Sequence, residues 1–162
     1  MSKPFVAVLM GSDSDLGSMQ ACLDILNKLE VAAEAKITSA HRRPDITHAY
    51  IKDADKRGCA VFTATAGTAA GLTPKPVIGV PMEAGPLNGL DALLSTVMMP
   101  GGIPVTSVAI GKAGARNAGY LAAQILSLGD AALADRLRVE REENAREVQA
   151  KDADLQKKLA GT

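Results

Sequence analysis

Tryptophan is absent from this chain of 162 residues, and phenylalanine and tyrosine occur only twice each. A core without many large rings must be filled by Val, Leu, Ile, Ala and Met, whose small side chains favour close approach of helices to a sheet. Net charge is missing too, because 18 Lys and Arg balance 18 Asp and Glu. No global field draws the protein to nucleic acid or to an anionic membrane, so neither is expected as a partner and any anion needs a local site. No apolar run approaches the ~20 residues needed to span a bilayer. The start, Met1-Ser2-Lys3-Pro4, enters an expected strand at once and lacks the apolar core of a signal peptide. The expectation is a soluble cytoplasmic protein. Cys22 and Cys59 lie far apart without metal-ligand spacing, and read as reduced packing residues. Histidine is equally scarce: with two in the chain, few side chains that titrate near neutrality are available to move a proton.

What is present is apolar, 47% of the chain, in a length that suits one domain with a substantial core. Phe5–Met10 is a continuous apolar run, the pattern of a strand buried on both faces. Gly11 breaks it, and Ser12 to Asp15 supply N-cap candidates for a helix to about Leu29, with Met19, Cys22, Leu23, Leu26 and Leu29 on one face. Val31–Ile37 alternates weakly and reads as a strand near an edge. Pro44 suits the first turn of a second helix, to about Arg57, with Ile46, Ala49, Tyr50 and Ala54 inward. Further strands are expected at Ala60–Thr65, Val77–Val80 and Pro104–Ile110. Helices are expected at Leu90–Met99, with Leu93, Leu94 and Val97 inward, and at Gly114–Leu128. A last helix opens at Gly129-Asp130 and reaches about Leu159.

Strands alternating with helices imply right-handed parallel crossovers. The fold expected is α/β, a flavodoxin-like doubly wound parallel sheet of order 2-1-3-4-5 in a three-layer α/β/α arrangement with a long C-terminal helix. Residues 1–128 form the core and 129–162 a helical extension within a single domain. That extension is dense in charge, with Leu137, Val148, Leu155 and Leu159 as a thin apolar stripe. Its length argues for packing on a neighbouring subunit.

Ligands of such sheets sit beyond the carboxyl ends of the strands, at the point where strand order reverses. Three loops fall on that rim. Gly11-Ser12-Asp13-Ser14-Asp15 opens a helix whose free N–H groups suit an anion; Ser12 and Ser14 can add hydroxyl donors and Asp15 can accept from ribose hydroxyls. Thr38-Ser39-Ala40-His41-Arg42-Arg43-Pro44 gathers a hydroxyl, an imidazole and two guanidiniums. Arg42 offers a planar fork for phosphate, Arg43 offers the same, and one of the two is expected to serve only the surface. His41 is the candidate general acid and base, whereas His48 falls inside a helix and reads as structural. Gly67, with Thr65 and Thr68, lets backbone approach a flat ligand closely.

Four motifs then stand in order: Gly11-Ser12-x-Ser14-Asp15, Ser39-Ala40-His41-Arg42-x-Pro44, Met99-Pro100-x-Gly102-Ile103-Pro104-Val105 and Ile110-Gly111-Lys112-Ala113-Gly114-Ala115-x-Asn117-Ala118. Together they resemble the PurE family, the N5-carboxyaminoimidazole ribonucleotide mutases of purine biosynthesis. The resemblance runs from about Val6 to Leu128. It implies a homo-octamer working without metal or organic cofactor on a ribonucleotide substrate. It also implies that Ser12, Ser14, Asp15 and Arg42 hold the ribonucleotide and that His41 is catalytic; Ser39 and Gly67, from the reading of the loops, join the expected substrate-binding set.

One segment departs from the pattern. The family's third motif reads Gly-Ala-Gly-Gly-Ala-Ala-His-Leu-Pro-Gly and continues into a short helical stretch. Here Thr65-Ala66-Gly67-Thr68-Ala69-Ala70-Gly71-Leu72 is followed at once by Thr73-Pro74-Lys75-Pro76. Gly71 stands where the family has a second histidine, and several residues are missing. The link to the fourth strand should be a turn or stub helix, leaving that side of the pocket more open. Two alternatives stay open at this point: an aminoimidazole ribonucleotide carboxylase using free carbon dioxide, and a non-catalytic nucleotide-binding homologue.

Overall fold

Phe5–Met10 forms β1, and every residue in it is buried. The computed structural model describes residues 3–65 and 67–161. Met1 and Ser2 of the expected strand entry, and Ala66 of the Gly/Ala turn, lie outside the described residues. The other strands are β2 (Ala33–Ile37), β3 (Cys59–Ala64), β4 (Val77–Gly79) and β5 (Thr106–Ser107). They form one parallel sheet in the order β2-β1-β3-β4-β5, as the sequence predicts. The helices are α1 (Leu16–Lys28), α2 (Pro44–Arg57), α3 (Leu90–Val97), α4 (Gly111–Ser127) and α5 (Ala131–Ala160).

Both faces of the central strands are covered, which is why their sequences read as unbroken apolar runs. Val6, Val8, Met10, Val61, Ile78 and Val80 meet α1 and α4 on one face. Phe5, Ala7, Leu9, Phe62, Ala64 and Val77 meet Ile51 and Ala54 of α2 on the other. Small residues bring α1 and α4 together: a Cβ on Gly119 would lie 2.9 Å from the Cys22 carbonyl oxygen. Cys22 and Cys59 are free and buried, and burial pushes both thiols up to about 11, as inert packing groups behave.

Several expected details are corrected. The inner face of α2 is Thr47, Ile51 and Ala54, with Ile46 39% exposed and Ala49 also outward. Thr47 can turn inward because its hydroxyl donates to the Arg43 carbonyl (3.2 Å) and lies 2.6 Å from the Thr38 hydroxyl. On α3, Leu94 and Val97 are about half exposed, at 50% and 48%, and Thr96 is the buried residue. Its hydroxyl donates to the Leu93 carbonyl and accepts from Ser107, so this threonine too is satisfied inside. β2 begins at Ala33, although Val31 before it is buried. β5 spans only Thr106–Ser107, its start set back past Pro104, which has no N–H for the ladder. α4 starts at Gly111 rather than Gly114.

The last helix packs on its own chain at its start. The Asp130 side chain caps it by accepting from the Leu133 amide (3.0 Å). Leu133 is buried and Leu137 half-buried against the core. Glu140, 5% exposed, accepts from Tyr120 of α4 (2.7 Å) and is paired with Lys28 of α1. Beyond Glu140 every described residue of α5 is exposed. Among the described residues no helix is long and apolar enough to cross a membrane.

Candidate active site

Strand order places the three polar loops next to one another. The register pairs Met10 with Ile37 and Leu9 with Ala64, so β2, β1 and β3 end together. Two further hydrogen bonds carry the pairing past the strand ends, from the Thr38 amide to the Met10 carbonyl (2.8 Å) and from the Thr65 amide to the Leu9 carbonyl (3.1 Å). The loops therefore leave the sheet side by side. A small cleft of about 50 Å³ opens there, lined by Leu9, Met10, Gly11, Thr38, Ser39, Ala40, His41, Thr47, Ala64, Thr65 and Ala69. It has room for a carboxylate-sized group, and a whole ribonucleotide would extend across its mouth.

The first loop is a 3-10 turn, Asp13–Asp15, leading into α1. Ser12 caps it in a capping box, in which its hydroxyl accepts weakly from the Ser14 amide (3.4 Å) and Asp15 reaches back to the Ser12 amide (3.2 Å). The Asp15 carboxylate also accepts from the Gly11 amide (3.0 Å) and from the Thr65 hydroxyl (3.1 Å) through the same oxygen, Oδ2. Asp13 accepts from the Ser12 hydroxyl and the Ser14 amide, and the Ser14 side chain faces solvent.

The second loop is one tight turn held by Ser39. Its carbonyl accepts from the Arg43 amide (2.8 Å), and its hydroxyl accepts from the Arg42 amide (3.3 Å). Because the Thr47 proton is used on the Arg43 carbonyl, the Thr38 hydroxyl is the donor in the Thr38–Thr47 pair. This chain of hydroxyls pins the turn to the start of α2. His41 is carried at its crest, exposed and at the cleft.

The two arginines separate. Arg43 donates to both oxygens of Asp45 across the start of α2 (3.3 and 3.1 Å), and this exposed pair lowers the Asp45 carboxyl below its usual range. The Arg42 side chain is exposed and makes no ion pair among the described residues. Gly67 opens the short 3-10 turn Gly67–Gly71 on the way from β3 to β4. Thr73 anchors that link by donating to the Asp55 carboxylate at the end of α2.

Of the expected site residues, Ser39 and His41 line the cleft directly. Asp15 is tied to its Gly11 and Thr65 wall, and Ser12 stands next to it in the capping box. Ser14 and Arg42 lie outside the lining, and His48 is exposed on α2. The reading from sequence missed Thr38, Thr47 and Thr65 as organisers of the cleft. The available signal was their placement, two of them at strand ends on the ligand rim. A larger groove of about 790 Å³ lies between α4 and α5, and none of the expected site residues reaches it.

Comparison with known proteins agrees with this fold. A family model described as AIR carboxylase matches residues 5–147. An N5-carboxyaminoimidazole ribonucleotide mutase of Bacillus subtilis is 49% identical over 159 residues, covering 94% of this chain and 98% of that protein. One from Mycobacterium leprae is 46% identical, covering 96% and 94%. A crystal structure of Treponema denticola PurE superposes with a TM-score of 0.81 at 28% identity, covering 94% of this chain and 98% of that one.

Proposed function

The chain belongs to the AIR carboxylase family, and from that membership we propose that it acts as an N5-carboxyaminoimidazole ribonucleotide mutase of purine biosynthesis. The observation that carries the reading at the level of the site is the convergence of three loops on one cleft, with His41 at its edge and an unpaired guanidinium, Arg42, next to it in the chain. In this reading Ser12, Ser14 and Arg42 hold the phosphate, Asp15 accepts from the ribose, and Ser39 and Gly67 flank the base.

The reaction moves a carboxylate from an exocyclic nitrogen to the neighbouring ring carbon. Electron release from the amine makes that carbon nucleophilic, so the substrate supplies much of the driving force. The carboxylate leaves the nitrogen as carbon dioxide and is recaptured at carbon inside the pocket. Protonated His41 gives the nitrogen the proton it needs as the carbon–nitrogen bond breaks. As neutral imidazole it then takes the proton from the ring carbon after the carbon–carbon bond has formed, which restores the starting state. Imidazole suits this cycle because both of its forms are accessible near neutrality.

His41→Asn tests the assignment. It should keep the fold and ribonucleotide affinity while turnover falls roughly 10²–10⁴-fold, the usual share of general acid–base catalysis. Normal binding with wild-type turnover would remove His41 from the mechanism.

The working unit in this proposal is a cytoplasmic homo-oligomer, an octamer as in the family it resembles. Apolar residues that the single chain leaves exposed support it: Leu87, Leu90, Leu94, Val97 and Met98 around α3, and Val148 and Leu155 along the exposed part of α5. In this proposal the exposed part of α5 lies along a neighbouring subunit.

A further inference from the structure

We infer that Thr65 is a positioning residue for the ribonucleotide, its hydroxyl fixing the Asp15 carboxylate so that Oδ1 faces the substrate. The inference rests on the reading of Asp15 as the group that accepts from the ribose. Asp15 Oδ2 takes hydrogen bonds from the Gly11 amide, the Ser12 amide and the Thr65 hydroxyl. Among the described residues no hydrogen bond reaches Oδ1. One oxygen is saturated by protein donors and the other is left to accept.

The three donors are not equivalent. Gly11 and Ser12 lie within four residues of Asp15, so their bonds fold the first loop on itself and do not reach another strand. Thr65 lies fifty residues further along, at the end of β3, and lines the cleft. It has one hydroxyl proton, and that proton goes to Asp15. Its lone pair accepts from the Gly11 amide (3.1 Å), whose hydrogen is shared with Asp15 Oδ2. The result is a closed triangle of Gly11, Asp15 and Thr65 that ties the first loop to the third strand. Glycine, which the family motif quoted above has at this position, offers no hydroxyl. The tether stands at the end of β3, next to the short 67–76 link.

The test compares Thr65→Val, which keeps the shape and removes the hydroxyl, with Thr65→Ser, which keeps the hydroxyl. Asp15→Ala is the reference, with Asp15→Asn in its place should the alanine variant not fold. Binding of 4-carboxy-5-aminoimidazole ribonucleotide is followed by calorimetry, and kcat and KM are measured with N5-carboxyaminoimidazole ribonucleotide. Thr65→Val should raise Kd and KM roughly three- to thirtyfold, less than the loss of a direct hydrogen bond to a charged group because Thr65 acts through Asp15, with kcat within about twofold. Thr65→Ser should bind like wild type. If Thr65→Val binds normally while the Asp15 variant is weakened, the role of Asp15 stands and that of Thr65 is overturned. If Thr65→Ser is as impaired as Thr65→Val, the loss comes from packing and the inference is again overturned. If the Asp15 variant itself binds normally, the reading of Asp15 falls and takes the inference with it.

Discussion

Arg42 and Arg43 are neighbours with opposite commitments. Arg43 is used up at the start of α2 by its paired hydrogen bonds to Asp45. Arg42, whose side chain makes no ion pair among the described residues, is on the proposed reading the guanidinium that takes a phosphate. Arg42→Ala should weaken ribonucleotide binding roughly ten- to a hundredfold, the scale of a charge-assisted hydrogen bond, whereas Arg43→Ala should change it little. Calorimetry giving equal affinity for the Arg42 variant and wild type would contradict the phosphate assignment. At this scale the sequence was legible where chemistry is rare. A chain with two histidines and one Ser-x-His-Arg segment points to its own site. The threonines were not legible, because a hydroxyl that is satisfied inside carries no mark in a hydrophobic pattern. Thr38, Thr47 and Thr65 look like ordinary strand-end and helix residues until their partners across the fold are known.

At the scale of elements, the same blindness rotated two helices. Thr47 and Thr96 sit inward with satisfied hydroxyls, so the apolar residues beside them, Ile46 and Val97, turn outward. Periodicity alone ranks an isoleucine above a threonine for the core and misplaces the face. The buried runs of β1 and β3 left no such ambiguity. The attachment of α5 gives a prediction about acid. Burial alone would raise the Glu140 carboxyl, but hydrogen bonds from Lys28, Tyr120 and Asn144 outweigh it and hold it below its ordinary value of 4.5. The unfolded chain keeps that ordinary value, so it binds the proton at a higher pH than the folded chain does. The stabilisation is therefore fully present above about pH 4.5 and is lost as pH falls through the lower folded value. Lys28 is half in solvent, which keeps the effect modest. Urea unfolding followed by helicity, from neutrality into acid, should show stability falling in that window for wild type and a flatter curve for Glu140→Gln. Parallel curves would mean that Glu140 does not anchor α5.

For the whole molecule, the α3 face sets the expectation. Leu90, Leu94 and Val97 recur at helical spacing yet are about half exposed, a pattern that suits a subunit contact. Periodicity identified this face as apolar but does not distinguish the chain's own core from a partner's surface. Leu94→Asp combined with Val97→Asp should shift sedimentation toward smaller species with loss of activity. A wild-type chain that is a stable, active monomer at micromolar concentration would refute the assembly. On the proposed reading the short 67–76 link bears on the reaction itself, because a pocket left open on that side would leak carbon dioxide unless a neighbouring subunit closed it. The measurement that tests the account most directly supplies N5-carboxyaminoimidazole ribonucleotide without added bicarbonate and, separately, aminoimidazole ribonucleotide with bicarbonate. The account predicts that the first mixture forms 4-carboxy-5-aminoimidazole ribonucleotide, with some aminoimidazole ribonucleotide accumulating beside it from the leak. Turnover of the second mixture alone, or binding without turnover in either, would contradict it.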